Sequence, residues 1–366
     1  MKIPGLLALD PNQFAVVELP FDDMHLVTGP QSSGKTVTAV YRAWMQATVG
    51  NNTSLITHSN ILTQYIDHSA GDLTDNVRVT TFHRWLSGFW RTHFQEEPPT
   101  NGADQWTYDW PKMQLDCFHR MPTSLEYLVI DEGQNLPSQF YELCHIIKIP
   151  VTVFADPTVN IEDGQTPVVE IEKKMRPKST TALQNNHRNS REIAMLAECF
   201  RVGSIEVEPE HPDRAGDIPH LMNCSSGHPF IPQLAQYISS HPNSTVGIIC
   251  RTAQLQREVH LQLSKLGFHS STQSYISDDK NRSVLDFTTN KVSIVNVASM
   301  KGIEFDIVFI PDLDSYVEDP TGASARSQFH TLCMRARDEL YFVHHGRREP
   351  DILAGIPNTL LGRRTI

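Results

Sequence analysis

Residues 29–36 read Gly-Pro-Gln-Ser-Ser-Gly-Lys-Thr, a G-x-x-x-x-G-K-[ST] pattern set between the apolar segment His25–Thr28 and a helical stretch over residues 37–46. This pattern constrains the fold because it demands a strand, a tight turn and a helix start in immediate succession. The glycines allow backbone N–H groups to turn inward and surround phosphate oxygens, and the helix N-terminus adds partial positive charge. Gly29, Ser32, Ser33, Gly34, Lys35 and Thr36 are therefore expected to contact a nucleotide. Lys35 would neutralise the β and γ phosphates, and the Thr36 hydroxyl would ligate Mg²⁺.

A partner for this loop stands at Tyr127–Glu132, where four apolar residues lead into Asp131 and Glu132. In an open parallel sheet, ligands bind at the carboxyl ends of strands. Asp131 is expected to hold Mg²⁺, and Glu132 to orient and deprotonate an attacking water. Together the two motifs imply ATP hydrolysis.

Similar apolar runs recur along the chain. Ser54–Thr57, Val77–Thr80, Val151–Phe154, Thr245–Cys250, Val292–Val297, Ile307–Ile310 and Leu340–Val343 read as further strands. Near-continuous apolar strands separated by helices imply parallel sheets covered on both faces. Over residues 252–266, Leu255, Val259, Leu263 and Leu266 mark one helix face. The polar segment Lys173–Ser179 divides the pattern into a domain over residues 1–175 and a second over 176–366. Two stretches break the rhythm. Residues 95–121, part of a small insertion over about 91–123, are polar, hold Trp106 and Trp110, and lack a clear period; residues 207–226 are rich in Pro, Gly and Asp and read as a loop.

No apolar run approaches the roughly 20 residues of a membrane helix, and the N-terminal residues lack a secretory pattern. The six cysteines form no C-x-x-C pair and the 17 histidines show no metal-type spacing, so a reducing cytoplasm is expected. A net charge of −11 argues against a uniformly basic nucleic-acid-binding surface but leaves room for a local groove.

Asp131-Glu132-Gly133-Gln134 is the helicase form of the acidic motif, and the chain resembles the UvrD/Rep-like branch of superfamily 1 over nearly its whole length. That resemblance implies two RecA-like P-loop domains in tandem, with ATP and Mg²⁺ at the cleft and reduced accessory insertions. It assigns Gln13, in Leu9–Gln13, to the adenine edge, and Gln134 and Asp156 to the nucleotide site. Ser59 and Asn60, with Phe82 and His83 of Thr81-Phe82-His83, would face single-stranded DNA, Phe82 as a stacking residue. In the second domain, Asn186-His187-Arg188, Lys301–Asp306 and Met334–Arg337 follow in the family's order. They imply that His187 stacks on adenine, Gly302 approaches phosphate, Glu304 meets the ribose, and Arg188 and Arg335 act as arginine fingers.

The chain departs from the family pattern where Val159 replaces a sensor glutamine, His187 a tyrosine and Met334 a threonine. The implied function is an ATP-driven translocase on single-stranded nucleic acid, DNA before RNA. The alternative is a nucleotide-gated subunit that controls a partner such as a nuclease in an anti-phage complex. The tryptophans of the insertion read as packing residues before base-stacking ones.

Overall fold

The computed structural model describes residues 3–102, 107–124, 126–157, 165–202, 211–224, 230–275, 286, 291–297, 300 and 302–365. Trp106, Val159 and Lys301, singled out above, lie outside them. The chain divides between Gln184 and Asn185.

In the first domain the described strands are β1 (Met24–Thr28), β2 (Asn52–Thr57), β3 (Val77–Thr81), β4 (Glu126–Ile130), β5 (Val151–Ala155) and β6 (Ser179–Ala182). They form one sheet in the order β3-β2-β4-β5-β1-β6, with every pairing parallel. Its helices are α1 (Pro11–Val17), α2 (Lys35–Thr48), α3 (Asn60–Ala70), α4 (Phe82–Phe94), α5 (Trp110–Arg120), α6 (Ser138–Ile147) and α7 (Val168–Met175). The apolar runs fall on the inner strands, and all five residues of β5 are buried. One strand, β5, separates the strand that feeds the phosphate loop from the strand that carries the two acids.

The second domain has the strands β7 (His220–Asn223), β8 (Val246–Cys250), β9 (Thr272–Tyr275), β10 (Val292–Asn296), β11 (Phe305–Ile310), β12 (Ala336–His344) and β13 (Gly362–Thr365). Their order is β13-β7-β12-β11-β8-β10-β9, again with parallel pairings throughout. With α8 (Arg191–Glu198), α9 (Phe230–Ser240), α10 (Ala253–Leu263) and α11 (Ala323–Cys333), they complete the second of the two parallel-sheet α/β domains expected from the sequence. Among the described residues, no helix is long and apolar enough to cross a membrane.

Four differences from the sequence reading have physical causes. β6 pairs with β1, so the first domain runs on past residue 175 to Gln184. The stretch read as a loop over residues 207–226 contains β7, held between β12 and β13. The aperiodic stretch over residues 95–121 contains α5, whose buried residues are Met113 and Cys117 alone. Finally, α10 starts at the Thr252 cap and ends at Leu263, so Leu266 leaves the buried face and is 48% exposed.

Arg42 of α2 is fully buried. It donates to the carbonyls of Val17 at 3.0 Å, Pro20 at 2.6 Å and Leu19, and to the hydroxyls of Tyr127 at 2.9 Å and Thr152 at 3.4 Å. Arg42 thereby ties the turn after α1 to the phosphate-loop helix and to the sheet. Removing it strands several buried acceptors, each costing about 1–3 kcal/mol. Arg42→Met is expected to lower stability by on the order of 3 kcal/mol, read as a shift of the urea midpoint; an unchanged midpoint would contradict the clamp.

Burial, the largest cause in each case, holds His25, His220 and His344 below their ordinary 6.5. His25 shows how the neutral ring is used: Nδ1 lies 2.8 Å from Ser179 Oγ and Nε2 3.0 Å from the Pro20 carbonyl. A histidine with a depressed folded value adds stability above 6.5 that is lost as pH falls through that folded value, because the unfolded chain binds more protons. The melting temperature of His25→Gln is therefore expected to lose less than that of the wild-type chain between pH about 7.5 and about 5.5, measured by circular dichroism. An equal loss in both would contradict this assignment.

Candidate nucleotide site and nucleic-acid interface

At the end of β1 the backbone turns at Gly29, whose N–H donates to the Ala155 carbonyl at 3.2 Å. A Cβ there would lie 2.4 Å from Ser33 Oγ and 2.7 Å from the Leu183 carbonyl, so only glycine fits. Ser32 and Gly34 have φ of 68° and 81°, the left-handed values that turn successive N–H groups to one side. α2 then starts at Lys35, directly behind the Gly34 cap. Within this loop the buried hydroxyls of Ser32 and Ser33 have no hydrogen-bond partner among the described residues. Buried polar atoms are normally satisfied, and a phosphate would satisfy both.

Lys35 is 6% exposed and points back over the loop. Its Nζ donates to the carbonyls of Gly29 at 2.7 Å and Pro30 at 2.8 Å, and lies 3.6 Å from Asp156 Oδ2. Thr36 Oγ1 donates to Asp131 Oδ2 at 2.7 Å, while the buried Asp131 Oδ1 has no hydrogen-bond partner among the described residues. Burial and the neighbouring Glu132 raise Asp131 to about 7, with Thr36 and Lys35 opposing them. A carboxylate held in so dry a place, one oxygen unmatched, fits a divalent cation. Among the described residues no cluster of three or more His, Cys, Asp or Glu could hold a metal. Mg²⁺ does not require one, since it keeps waters and takes phosphate oxygens alongside one or two protein ligands.

Glu132 follows β4 in a left-handed conformation, φ 56°, which is uncommon away from glycine and gathers at functional sites. Gln134 Nε2 donates to Glu132 Oε2 at 2.6 Å, and Gln134 Oε1 accepts from the Asp156 N–H at 3.1 Å. Gln134 thus links the acid after β4 to the residue after β5. Gln13 is 4% exposed and closes a capping box with Asp10. Its Nε2 lies 3.4 Å from the Ser33 carbonyl, which ties α1 to the phosphate loop.

The second domain gathers its own set. Arg188 forms an ion pair with Glu304, and its Nη1 donates to the Met334 carbonyl at 3.3 Å. Arg335, 5% exposed, donates to the carbonyls of Ile303 at 3.3 Å and Thr331 at 3.2 Å. Gly302 has φ 81°, and His187 is exposed. Three motifs distant in sequence therefore meet. Asn189, which the sequence reading did not single out, helps to join them: it is 1% exposed and donates to the Ala336 carbonyl at 2.6 Å. Its position one residue past the Asn-His-Arg triplet was the only signal for it.

Of the residues expected to face a nucleic-acid strand, Ser59 caps α3, accepting from the Leu62 N–H at 3.2 Å, and Asn60 opens that helix. His83 Nδ1 lies 2.9 Å from the Tyr108 hydroxyl. Phe82 departs from expectation. It is 4% exposed and packs against Phe140, with ring centroids 5.0 Å apart, because α4 buries it in the domain core. The ring does not stand free in solvent for stacking.

No family model and no curated protein matches the chain. Among solved structures it is similar to the C-terminal domain of a possible DNA helicase from Lactobacillus plantarum, at 20% identity over 48% of this chain and 97% of that one, TM-score 0.37. It is also similar to the PRRSV helicase, at 12% identity over 92% of this chain and 55% of that one, TM-score 0.40. The DUF1998 helicase MrfA bound to DNA shares 11% identity over 92% of this chain and 49% of that one, TM-score 0.49. The chain thus spans about half the length of the latter two.

Proposed function

We propose that this chain is an ATP-hydrolysing translocase on single-stranded nucleic acid, DNA by preference, of the UvrD/Rep-like type. The observation that carries the hydrolytic part is the convergence of Lys35, Thr36, Asp131, Glu132 and Asp156 around a loop whose buried Ser32 and Ser33 hydroxyls await an acceptor or donor. The translocase part rests on the ordered set of motifs in both domains.

ATP is bound by the loop N–H groups and Lys35, with Gln13 beside the base. Thr36 and Asp131 would hold Mg²⁺, which would neutralise charge on the β and γ phosphates. Glu132 takes a proton from water as its oxygen attacks the γ phosphorus; the bond to the bridging oxygen breaks and ADP leaves with that electron pair. Arg188 and Arg335 stabilise charge on the transferred group, for which the planar guanidinium fork is suited. Gln134 holds Glu132 in place and relays its position to Asp156.

Glu132→Gln is expected to bind ATP with near-native affinity while hydrolysis falls by on the order of 10³. Equilibrium binding and phosphate release check this, and persistent turnover would remove Glu132 from the base role. The translocase reading is tested by the rate of ATP hydrolysis with and without single-stranded DNA or RNA oligomers at low salt, where phosphate contacts are strongest. DNA is expected to stimulate more than RNA; no stimulation by either would favour the nucleotide-gated subunit instead.

A further inference from the structure

Glu132 has φ 56° and ψ 44°, a left-handed conformation that residues other than glycine hold only where their surroundings impose it. Those surroundings act on the turn Gly133–Asn135 that follows. Within the turn, the Asn135 N–H donates to the Glu132 carbonyl at 3.0 Å and the Leu136 N–H to the Gly133 carbonyl at 3.1 Å. These bonds close the turn, and two side chains from other elements fasten it to the domain. Tyr141 of α6 donates its hydroxyl to the Gly133 carbonyl at 2.5 Å. Thr166, just before α7, holds the far side: its N–H donates to the Gln134 carbonyl at 2.8 Å and its hydroxyl to the Leu136 carbonyl at 2.6 Å. A Cβ on Gly133 would lie 2.5 Å from Val153 Cγ1 and 2.9 Å from the Tyr141 hydroxyl oxygen. The turn is therefore pressed between β5 and the phenol, and the peptide after Glu132 has little room to swing.

Packing alone does not account for the Tyr141 hydroxyl. Tyr141 and Phe140 are neighbours on α6 and both fully buried, and Phe140 fills its place without a polar atom. Burying a hydroxyl is unfavourable unless it finds an acceptor, so phenylalanine would serve the core as well. Nor does the Gly133 carbonyl need the bond to be satisfied, since it already accepts from the Leu136 N–H. Burial holds the phenol well above its ordinary 10, so the proton stays on the oxygen and the group remains a donor. What the bond adds is a fixed separation between the domain core and the peptide directly after Glu132. Gln134 restrains the Glu132 carboxylate, and Tyr141 restrains the backbone that carries it.

We propose that Tyr141 is a positioning residue for hydrolysis: its hydroxyl, acting through the Gly133 carbonyl with Thr166 as the second hold, aims the Glu132 carboxylate at the attacking water. The inference rests on the base role proposed for Glu132.

The test is a double-mutant cycle on the full chain. Single-turnover ATP hydrolysis, ATP affinity and melting temperature are measured for the wild type, Tyr141→Phe, Glu132→Gln and the combined variant. Tyr141→Phe keeps the ring and removes the oxygen. It is expected to lower the hydrolysis rate by about tenfold, the scale of a small misplacement of a reacting group, with ATP affinity within about twofold of the wild type. In the Glu132→Gln background the same change is expected to leave the residual rate within about twofold, because no base remains to be aimed. The melting temperature is expected to shift equally in both backgrounds. A hydroxyl with a merely structural role would cost the same fraction of rate with and without Glu132. That result, or an unchanged rate in Tyr141→Phe, would overturn the proposal. Thr166→Val, which removes the second hydroxyl, carries the same cycle with the same expected pattern if Tyr141→Phe does not fold. Persistent turnover in Glu132→Gln would instead remove the base role itself, and this inference with it.

Discussion

Lys35→Ala is expected to reduce ATP turnover to background, a loss of at least about 10³-fold. The ammonium of Lys35 sits at 6% exposure between the Gly29 and Pro30 carbonyls, with Asp156 Oδ2 3.6 Å away. In so dry a place a positive charge acts through a low effective dielectric, and its effect on developing phosphate charge is correspondingly large. Alanine removes it while Asp131, Glu132 and Asp156 remain, so a triphosphate would meet net negative charge. The loop itself is shaped by Gly29, Ser32 and Gly34 and is expected to survive the change. Phosphate release measured beside a melting curve separates loss of chemistry from loss of fold. A variant that melts normally and keeps more than about a tenth of the rate would show that Lys35 is not the phosphate cation.

The second large effect is expected for Arg188→Ala, with kcat falling by roughly 10³ and ATP affinity changing only a few-fold. The guanidinium is held by Glu304 on one side and the Met334 carbonyl on the other. This fixes its planar fork, so little conformational freedom is lost when it acts on phosphate. Because the interaction would form in the transition state rather than the ground state, its removal should appear in kcat. Arg188→Lys should restore little, since a single point donor does not reproduce the fork. Pre-steady-state and equilibrium measurements together check the split. A large loss of affinity at an intact rate would mark Arg188 as a ground-state binding residue.

The legible part of this molecule was the part written in contiguous residues. The phosphate loop constrains strand, turn and helix at once, and it is built as read, from β1 through Gly34 into α2. Strands with apolar runs, such as Val151–Ala155 and Phe305–Ile310, were visible because both of their faces are covered. The strands missed were polar ones at or beside sheet edges. Ser179–Ala182, Thr272–Tyr275 and Gly362–Thr365 each pair on one side only and need no apolar run. The first of these also moved the domain boundary. Arg42 left no signal because its partners are mostly backbone carbonyls, whose identity no sequence pattern reports. Tyr108 gains its meaning from His83, which lies on a different element. Phe82 stands in the Thr81-Phe82-His83 triplet, but its burial depends on Phe140 and the insertion, and neither is local.

If Arg188 and Arg335 act as proposed, each adds to the binding of a mimic of the transferred phosphoryl group. The most direct measurement compares affinity for ADP with affinity for ADP plus aluminium fluoride, a mimic of the transferred phosphoryl group, in the presence of Mg²⁺. The wild-type chain is expected to bind the fluoride complex at least about 10²-fold more tightly than ADP, and Arg188→Ala and Arg335→Ala are each expected to lose most of that gain while still binding ADP. An undiminished gain in both variants would contradict the account.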